Sequence, residues 1–236
     1  MSPELDSNET DIQKKIEGLY EILRNSVVST DIDGVEVDLA KSVINKLNER
    51  LGSNHKVSEL TNYWSLADML TKDHPQIVDP VDYTLDIWTD PEVVLHAPPQ
   101  AGVLRFSKRW FDKGLKVHRI TSRPSSKGKV TFEWYKNRMP WVDKSLIHIQ
   151  QNEDRINADF KISEIKKIGS NIHFEDSLEH AERIVDETDC DVVMVPQPWN
   201  VDCKEKNRII VVPVGYYKAL PKIYRVWFHL AETIVV

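Results

Sequence analysis

Residues 26–38 read Ser-Val-Val-Ser-Thr-Asp-Ile-Asp-Gly-Val-Glu-Val-Asp, and this stretch indicates both the fold and the place of its chemistry. A short β-branched run ending at Val28 predicts a buried strand, and two acids one residue apart follow it, Asp31 and Asp33, with Gly34 next. Carboxylates at such a place are costly to bury unless a cation or hydrogen bonds stabilise them. Because open α/β sheets bind ligands at the carboxyl ends of their strands, the two acids predict a hard cation such as Mg²⁺, with phosphate chemistry around it.

The composition is that of a globular protein in a reducing compartment. The 236 residues carry a net charge of −6, which argues against binding to nucleic acid. The two cysteines, Cys190 and Cys203, have neither the number for a disulfide framework nor a zinc-binding spacing. The polar N-terminus is unlike a signal peptide, and no apolar run is long enough to cross a bilayer. We therefore expect a cytoplasmic protein without membrane or nucleic-acid partners.

Strands and helices alternate along most of the chain. Apolar residues at helical spacing predict one helix over 11–24 and another from Leu39, which Gly52 ends. Residues 53–98 mix aromatic and polar residues without a convincing strand, which indicates a small helical insertion. Beyond the insertion, the pattern predicts helices near 100–113, 125–139 (capped by Ser125 or Ser126), 160–168, 177–187 and 221–233, and strands near 115–121, 146–149, 172–174, 192–195 and 208–212. This alternation predicts a Rossmann-like parallel α/β sheet with helices on both faces and a small helical cap after the first strand.

A polar group follows the predicted strand that ends near residue 121. Thr121, Ser122 and Arg123 offer a hydroxyl, backbone N–H groups and a guanidinium, which together suit a phosphate group. The alternative is an ordinary polar loop that begins a helix. By itself this group favours the polar loop.

A lysine and a second pair of acids complete the set of candidate site residues. Lys161 begins a helical stretch, where an ammonium would neutralise a phosphoryl oxygen and a nucleophile, and Lys166 and Lys167 are alternatives. Glu175 and Asp176 follow another apolar strand, as the first acids do. Two acidic strand ends in one sheet indicate a shared cation.

The order of these motifs resembles the haloacid dehalogenase (HAD) superfamily of phosphohydrolases, and within it the branch of 5′-nucleotidases and 5′(3′)-deoxyribonucleotidases. Thr-Asp-Ile-Asp-Gly-Val at 30–35 is similar to the nucleophile motif of that superfamily. Ile-Thr-Ser-Arg-Pro at 120–124 resembles its second motif, and Phe-Glu-Asp-Ser at 174–177 its metal motif. Val-Pro-Gln-Pro-Trp-Asn at 195–200 resembles a late segment of bacterial members of the branch.

The resemblance also implies a division of the chain. It covers residues 26–236 and leaves an N-terminal helix within 1–25 outside it. Residues 26–37 and 98–236 would form the catalytic core, and residues 38–97 a helical cap that excludes water and selects the substrate. Glu36 departs from the family pattern, since relatives usually carry a small or apolar residue there, and it would put an extra negative charge near the cap hinge.

The resemblance implies a role for each catalytic residue. Asp31 would be the nucleophile that forms an aspartyl-phosphate, and Asp33 would protonate the leaving oxygen and then activate water. Lys161 and a cation would keep Asp31 ionised, and Thr121 would hold the phosphoryl group, with Ser122 and Arg123 beside it.

The cofactor implied by the resemblance is Mg²⁺. Its ligands would be Asp31, the backbone carbonyl of Asp33, and Asp176, with Glu175 bound directly or through water.

The expected substrate is a small phosphomonoester, specifically a (deoxy)nucleoside monophosphate. Tyr63, Trp64 and Trp88 in the insertion would stack on its base, although the cap's own hydrophobic core explains each of them equally well. A sugar phosphate or another small metabolite is the alternative substrate, and a phosphomutase would use the same motifs. A non-catalytic binding descendant is disfavoured because all the acids are present.

Overall fold

The computed structural model describes residues 26–62, 65–151 and 157–211. Its strands are β1 (Val28–Thr30), β2 (Val117–Pro124), β3 (Ile147–Gln150), β4 (Ile172–Glu175), β5 (Asp191–Met194) and β6 (Ile209–Val211). Its helices are α1 (Leu39–Leu51), α2 (Ser65–Asp73), α3 (Pro80–Trp88), α4 (Pro91–His96), α5 (Val103–Asp112), α6 (Gly128–Arg138), α7 (Asn157–Ile168) and α8 (Leu178–Glu187). Short 3₁₀ turns cover Val57–Glu59, Ser125–Lys127, Lys144–Leu146 and Pro198–Asn200.

The strands form one parallel sheet in the order β3-β2-β1-β4-β5-β6. β1 lies in the middle, where Val28 pairs with Val117 on one side and Ile172 on the other. Helices cover both faces, because Phe106 of α5 belongs to one buried hydrophobic cluster and Ile184 of α8 to another. This arrangement confirms the predicted α/β class.

The chain between β1 and β2 is helical in its described part, as the sequence predicts. α1 begins at Leu39 and ends at Gly52, whose φ of 65° lies in the left-handed region that ends many helices. The helices α1 to α4 pack against one another, and α4 also packs against α6. The division into a core and a cap at residues 38–97 stays a prediction.

Two local predictions around the second motif are wrong. β2 continues to Pro124, so that residues 121–123 lie inside the strand and not in a loop after it, with a register irregularity toward β3 between Thr121 and Pro124. Neither Ser125 nor Ser126 caps α6, because these residues form a 3₁₀ turn that places Lys127 at the N-cap. A strand with a bulge tolerates the polar residues that suggested a loop.

Some predictions fall outside the described residues, namely the N-terminal helix within 1–25, the helix near 221–233, and the aromatics Tyr63 and Trp64. In the described part of the chain, the helices are too short or too polar to span a bilayer. Both cysteines are free, and burial raises the pKa of the Cys190 thiol to about 12.

Candidate active site

Asp31 lies at the centre of the carboxyl edge of the sheet. Its N–H donates to the carbonyl of Phe174 at 2.8 Å, which continues the pairing of β1 and β4 one residue beyond β1. Its Oδ1 accepts from the N–H of Ile32 at 2.7 Å, and its side chain is 8% exposed. Backbone and side chain are therefore both fixed, and one oxygen points toward the groups described next.

Lys161 of α7 connects Asp31 to the second pair of acids. Its ammonium donates to Asp31 Oδ2 at 2.8 Å, to Glu175 Oε2 at 2.7 Å and to His180 Nδ1 at 3.2 Å. These bonds use all three of its N–H groups. Lys166 and Lys167 are exposed, so the structure brings Lys161 and neither alternative to Asp31.

The pKa values of Asp31 and Glu175 are shifted in opposite directions, although both acids are bonded to Lys161. Burial raises the pKa of Asp31 to about 7 against the attraction of Lys161, and the charges of Glu175 and Asp33 add to the rise. Burial also disfavours the charge of Glu175, but the attraction of Lys161, and after it the neighbouring His173, outweigh burial and hold the pKa of Glu175 well below its usual range.

His180 is a member of the cluster that the sequence analysis missed. Burial, and after it the neighbouring charge of Lys161, lower the pKa of His180 to about 4, so that its ring is neutral at pH 7 and accepts from the ammonium. It lies in the first turn of α8, which directly follows the metal motif at 174–177 in the sequence. No local pattern identifies it, because its partner Lys161 lies on another helix.

The two acids at the end of β4, Glu175 within the strand and Asp176 after it, have different environments. Both oxygens of Glu175 are bound, since Oε2 accepts from Lys161 and Oε1 accepts from the N–H groups of Asp176 and Ser177 at 3.1 Å. The carboxylate of Asp176 lies against Gly34, where a Cβ would come 2.0 Å from Oδ2. Only glycine fits at position 34, because its φ of 74° is also left-handed.

The acidic cluster fits a hard divalent cation. Asp31, Glu175 and Asp176 each offer a carboxylate oxygen within 4.8 Å of one another, and an all-oxygen donor set suits Mg²⁺ or Ca²⁺. Burial, followed by the charges of Glu175 and Asp31, raises the pKa of Asp176 well above its usual range, and a bound cation would favour its ionised form.

Asp33 and the second motif form a separate pair beside the cluster. Arg123 donates from Nε to Asp33 Oδ2 at 2.8 Å and from a terminal nitrogen to Oδ1, and its other terminal nitrogen donates to Thr131 Oγ1 at 3.0 Å. Thr121 is buried, and its Oγ1 accepts from the N–H of Arg123 at 3.2 Å, while Ser122 is half-buried between them. The guanidinium thus holds Asp33 in this structure, a contact that the sequence does not indicate.

Glu36 is neutralised inside the protein. It is 4% exposed, and its carboxylate accepts from Arg119 Nε at 3.3 Å and from a terminal nitrogen of Arg119 at 3.1 Å. The hydroxyl of Tyr135 also donates to it. The extra charge expected near the cap hinge is therefore paired with β2 and α6.

The late segment 195–200 contacts two acidic loops, the one after β1 that contains Asp33 and Gly34 and the one after β4 that contains Asp176. Gln197 donates from its amide to the carbonyl of Gly34, to which Gln100 also donates at 3.2 Å. Asn200 and Trp199 donate to the carbonyl of Asp176 at 2.7 Å and 3.2 Å. The sequence analysis noted this segment only as a resemblance, and polar side chains directly after a buried strand were the signal available.

Among the aromatics expected to line a substrate pocket, Trp88 is the one in the described residues. It is the last residue of α3, is half-buried and packs against the main hydrophobic cluster. Its surroundings agree with the alternative that it belongs to the hydrophobic core of the helical segment.

Comparisons with known proteins give likeness in structure and none in sequence. No family model matches the chain, and no curated protein matches it significantly. Among solved structures, a Lactobacillus delbrueckii protein named a phosphoglycolate phosphatase by inference has a TM-score of 0.60 at 15% identity, with 86% of this chain and 98% of that chain covered.

Two further solved structures are also similar in fold at low sequence identity. A β-phosphoglucomutase from Clostridium difficile has a TM-score of 0.52 at 14% identity, with 89% of this chain and 99% of that chain covered. A HAD hydrolase from Entamoeba histolytica has a TM-score of 0.52 at 12% identity, with 83% of this chain and 98% of that chain covered. At such identities the likeness concerns the fold alone: the chain has the Rossmann-like α/β fold that these HAD-superfamily proteins share.

Proposed function

We propose that this protein is a Mg²⁺-dependent phosphomonoesterase that works through an aspartyl-phosphate on Asp31. The observation that carries the proposal is the cluster at the carboxyl edge of the sheet. There, a buried Asp31 is bonded to Lys161 and lies beside the acids Glu175 and Asp176. A buried nucleophile next to a fixed ammonium and a candidate cation site is the arrangement that phosphoryl transfer requires.

The two chemical steps divide between two carboxylates. An oxygen of Asp31 attacks phosphorus and forms the aspartyl-phosphate, while the bond from phosphorus to the ester oxygen breaks and Asp33 gives that oxygen a proton. Asp33 then takes a proton from water, whose oxygen attacks phosphorus and releases phosphate from Asp31. Arg123 orients the Asp33 carboxylate through its two hydrogen bonds.

The remaining residues hold charge and position the phosphoryl group. Thr121 and Ser122 would bind its oxygens from the end of β2, and Lys161 would offset the charge on Asp31. Asp31, the backbone carbonyl of Asp33, and Asp176 would hold Mg²⁺, with Glu175 acting through water. When bound, the cation supplies positive charge to the carboxylates and to the phosphoryl oxygens. Residues 38–97 would cover the site as a cap.

For the substrate we propose a 5′-nucleotide, in particular a (deoxy)nucleoside monophosphate. The resemblance of residues 30–35, 120–124, 174–177 and 195–200 to the nucleotidase branch supports it, and Tyr63 and Trp64 are candidates for stacking on a base. The second candidate is a phosphorylated sugar or small acid. It is supported by the names of the structural neighbours, which include a phosphoglycolate phosphatase and a β-phosphoglucomutase.

The test is phosphate release from a panel of monoesters, with Mg²⁺ and with a chelator. The panel holds ribo- and deoxynucleoside 5′-monophosphates, phosphoglycolate, glucose 1-phosphate, glucose 6-phosphate and p-nitrophenyl phosphate. Asp31→Asn should release no phosphate, and Asp33→Asn should slow release by about 10²-fold or more, as expected for a general acid. Equal activity of wild type and Asp31→Asn would overturn the mechanism.

The same panel separates the substrate classes. Preference for a nucleotide supports the 5′-nucleotidase, and preference for a sugar phosphate or phosphoglycolate overturns it while leaving the phosphatase. Conversion of glucose 1-phosphate to glucose 6-phosphate without release of phosphate would identify a mutase.

A further inference from the structure

The segment 195–200 begins where the pairing of β4 with β5 ends. The last pair of the ladder is Glu175 with Met194, and Val195 N–H then donates to Glu175 O at 2.8 Å. The next carbonyl on the β4 side is that of Asp176, which lies beyond the ladder. Asn200 Nδ2 donates to it at 2.7 Å and Trp199 Nε1 at 3.2 Å, so two side chains take the place of a strand.

Asn200 is itself fixed in orientation. It is 7% exposed, its Nδ2 also donates to the carbonyl of Val195 at 2.9 Å, and its Oδ1 accepts from the N–H of Gln197 at 2.8 Å. Both ends of the amide therefore have partners, and a reversed amide would lose all of them. Gln197, in the same segment, contacts the loop after β1 by donating to the carbonyl of Gly34.

The two carbonyls that the segment binds belong to loops in direct contact. The Asp176 carboxylate occupies the space that a Cβ on Gly34 would fill. The direction of a carboxylate depends on the backbone dihedrals of its own residue, and a bound carbonyl restricts those dihedrals. The hydrogen bonds of segment 195–200 thus restrict where the Asp176 carboxylate points.

We propose that Asn200 and Trp199 are positioning residues for the cation, acting through Asp176, and that Gln197 supports them through Gly34. The proposal rests on the metal site proposed above. Groups that orient metal ligands typically contribute about 10- to 100-fold in metal affinity. A role in loop structure alone would lower the melting temperature and leave metal affinity unchanged.

The test measures Mn²⁺ binding to the full chain stripped of metal, from the electron paramagnetic resonance signal of the free ion. Asn200→Ala should weaken binding about 10- to 100-fold. Asn48→Ala is the matched control, because Asn48 also holds a loop by three side-chain hydrogen bonds, to the N–H and carbonyl of His55 and to the hydroxyl of Ser53. In a chelator both variants should melt earlier than wild type, and only Asn200→Ala should bind Mn²⁺ more weakly.

Trp199→Phe carries the test if Asn200→Ala does not fold. It keeps an aromatic ring but removes the N–H donor together with part of the indole, and a loss of about 2- to 10-fold in Mn²⁺ affinity is expected for the one hydrogen bond. Wild-type affinity in Asn200→Ala, or in Trp199→Phe where the first variant does not fold, would overturn the positioning role. A wild-type protein that binds no Mn²⁺ would overturn the metal site itself, which is a separate result.

Discussion

Asp31 is a carboxyl group whose surroundings disfavour its charge as long as no cation is bound. Burial raises its pKa from 3.8 to about 7, whereas in the unfolded chain it ionises in the ordinary range. Between about pH 4 and pH 7 the folded state therefore holds a proton that the unfolded chain has released, and stability falls as pH rises through this window. Glu175 acts in the opposite direction near pH 4.5, its ordinary pKa, because it stays ionised in the folded state while the unfolded chain still binds a proton there.

This linkage predicts the behaviour of Asp31→Asn in a chelator. The variant has no charge to bury at position 31, so its melting temperature should exceed that of wild type by a margin that grows from pH 5 to pH 8. At pH 8 we expect at least about 3 °C, which corresponds to ~1 kcal/mol for a chain of this size. Added Mg²⁺ should favour wild type and reduce the margin. Melting curves that stay parallel across the pH range would contradict the burial argument.

Substitution of Glu36 should change stability in the opposite direction to Asp31→Asn, because the charge of Glu36 is buried and already paired. Glu36→Ala would leave Arg119 buried without its carboxylate, which costs about 3–5 kcal/mol of unfolding free energy. The control is Glu49→Ala, since Glu49 pairs with Lys46 at 2.8 Å on an exposed helix surface, where solvent and salt screen an ion pair and it contributes little to stability. Denaturant unfolding measures both. Similar small losses in the two variants would show that the Glu36–Arg119 pair does not stabilise the fold.

At the scale of elements, the turn after β1 and the end of α1 both use a glycine, but only the glycine of the turn lies against another side chain. Gly34 and Gly52 both have left-handed φ values, 74° and 65°. A Cβ at Gly34 would lie 2.0 Å from Asp176 Oδ2, whereas a Cβ at Gly52 meets nothing within 4 Å. Substitutions at these two glycines therefore distinguish the effect of backbone strain from the effect of contact with the candidate site.

Alanine at each glycine tests this difference. Both variants should lose about 1–2 kcal/mol of stability from the left-handed backbone. Gly34→Ala should in addition displace the Asp176 carboxylate and lower phosphatase activity and Mn²⁺ affinity by at least about 10-fold, in the range for disturbed ligand orientation. Gly52→Ala should keep both. If Gly34→Ala retained normal metal affinity, Asp176 would not be a ligand in the position described.

For the whole molecule, the candidate cation site joins distant parts of the chain. Asp31 follows β1 and Asp176 follows β4, and these strands are neighbours only in the folded sheet. A cation that binds the folded state alone stabilises it by about 2.7 kcal/mol at 100 times its Kd, or roughly 5–10 °C in melting temperature. Differential scanning calorimetry with increasing Mg²⁺ should show this rise. Asp176→Asn should abolish the rise, and Asp68→Asn, a change at an exposed acid of α2, should leave it intact.

The sequence by itself determined the order of the elements and the candidate site residues. The spacing of Leu39, Val43 and Leu47 and the glycine at 52 are local patterns, and α1 begins and ends as they predict. The strands are likewise identified by short β-branched runs, and Asp31 follows β1 while Glu175 ends β4. Such signals depend on near neighbours in the chain, which is why they can be interpreted without the fold.

The tertiary structure alone decided which side chains meet. It brought Lys161 to Asp31 across 130 residues and placed Arg123 on Asp33 across 90. It also paired the charge of Glu36 with Arg119 and set Asn200 against the carbonyl of Asp176. The physical reason is that these bonds depend on the strand order β3-β2-β1-β4-β5-β6, which places β1 beside β4 and β4 beside β5. Nothing in the spacing of polar residues along the chain records which strands become neighbours.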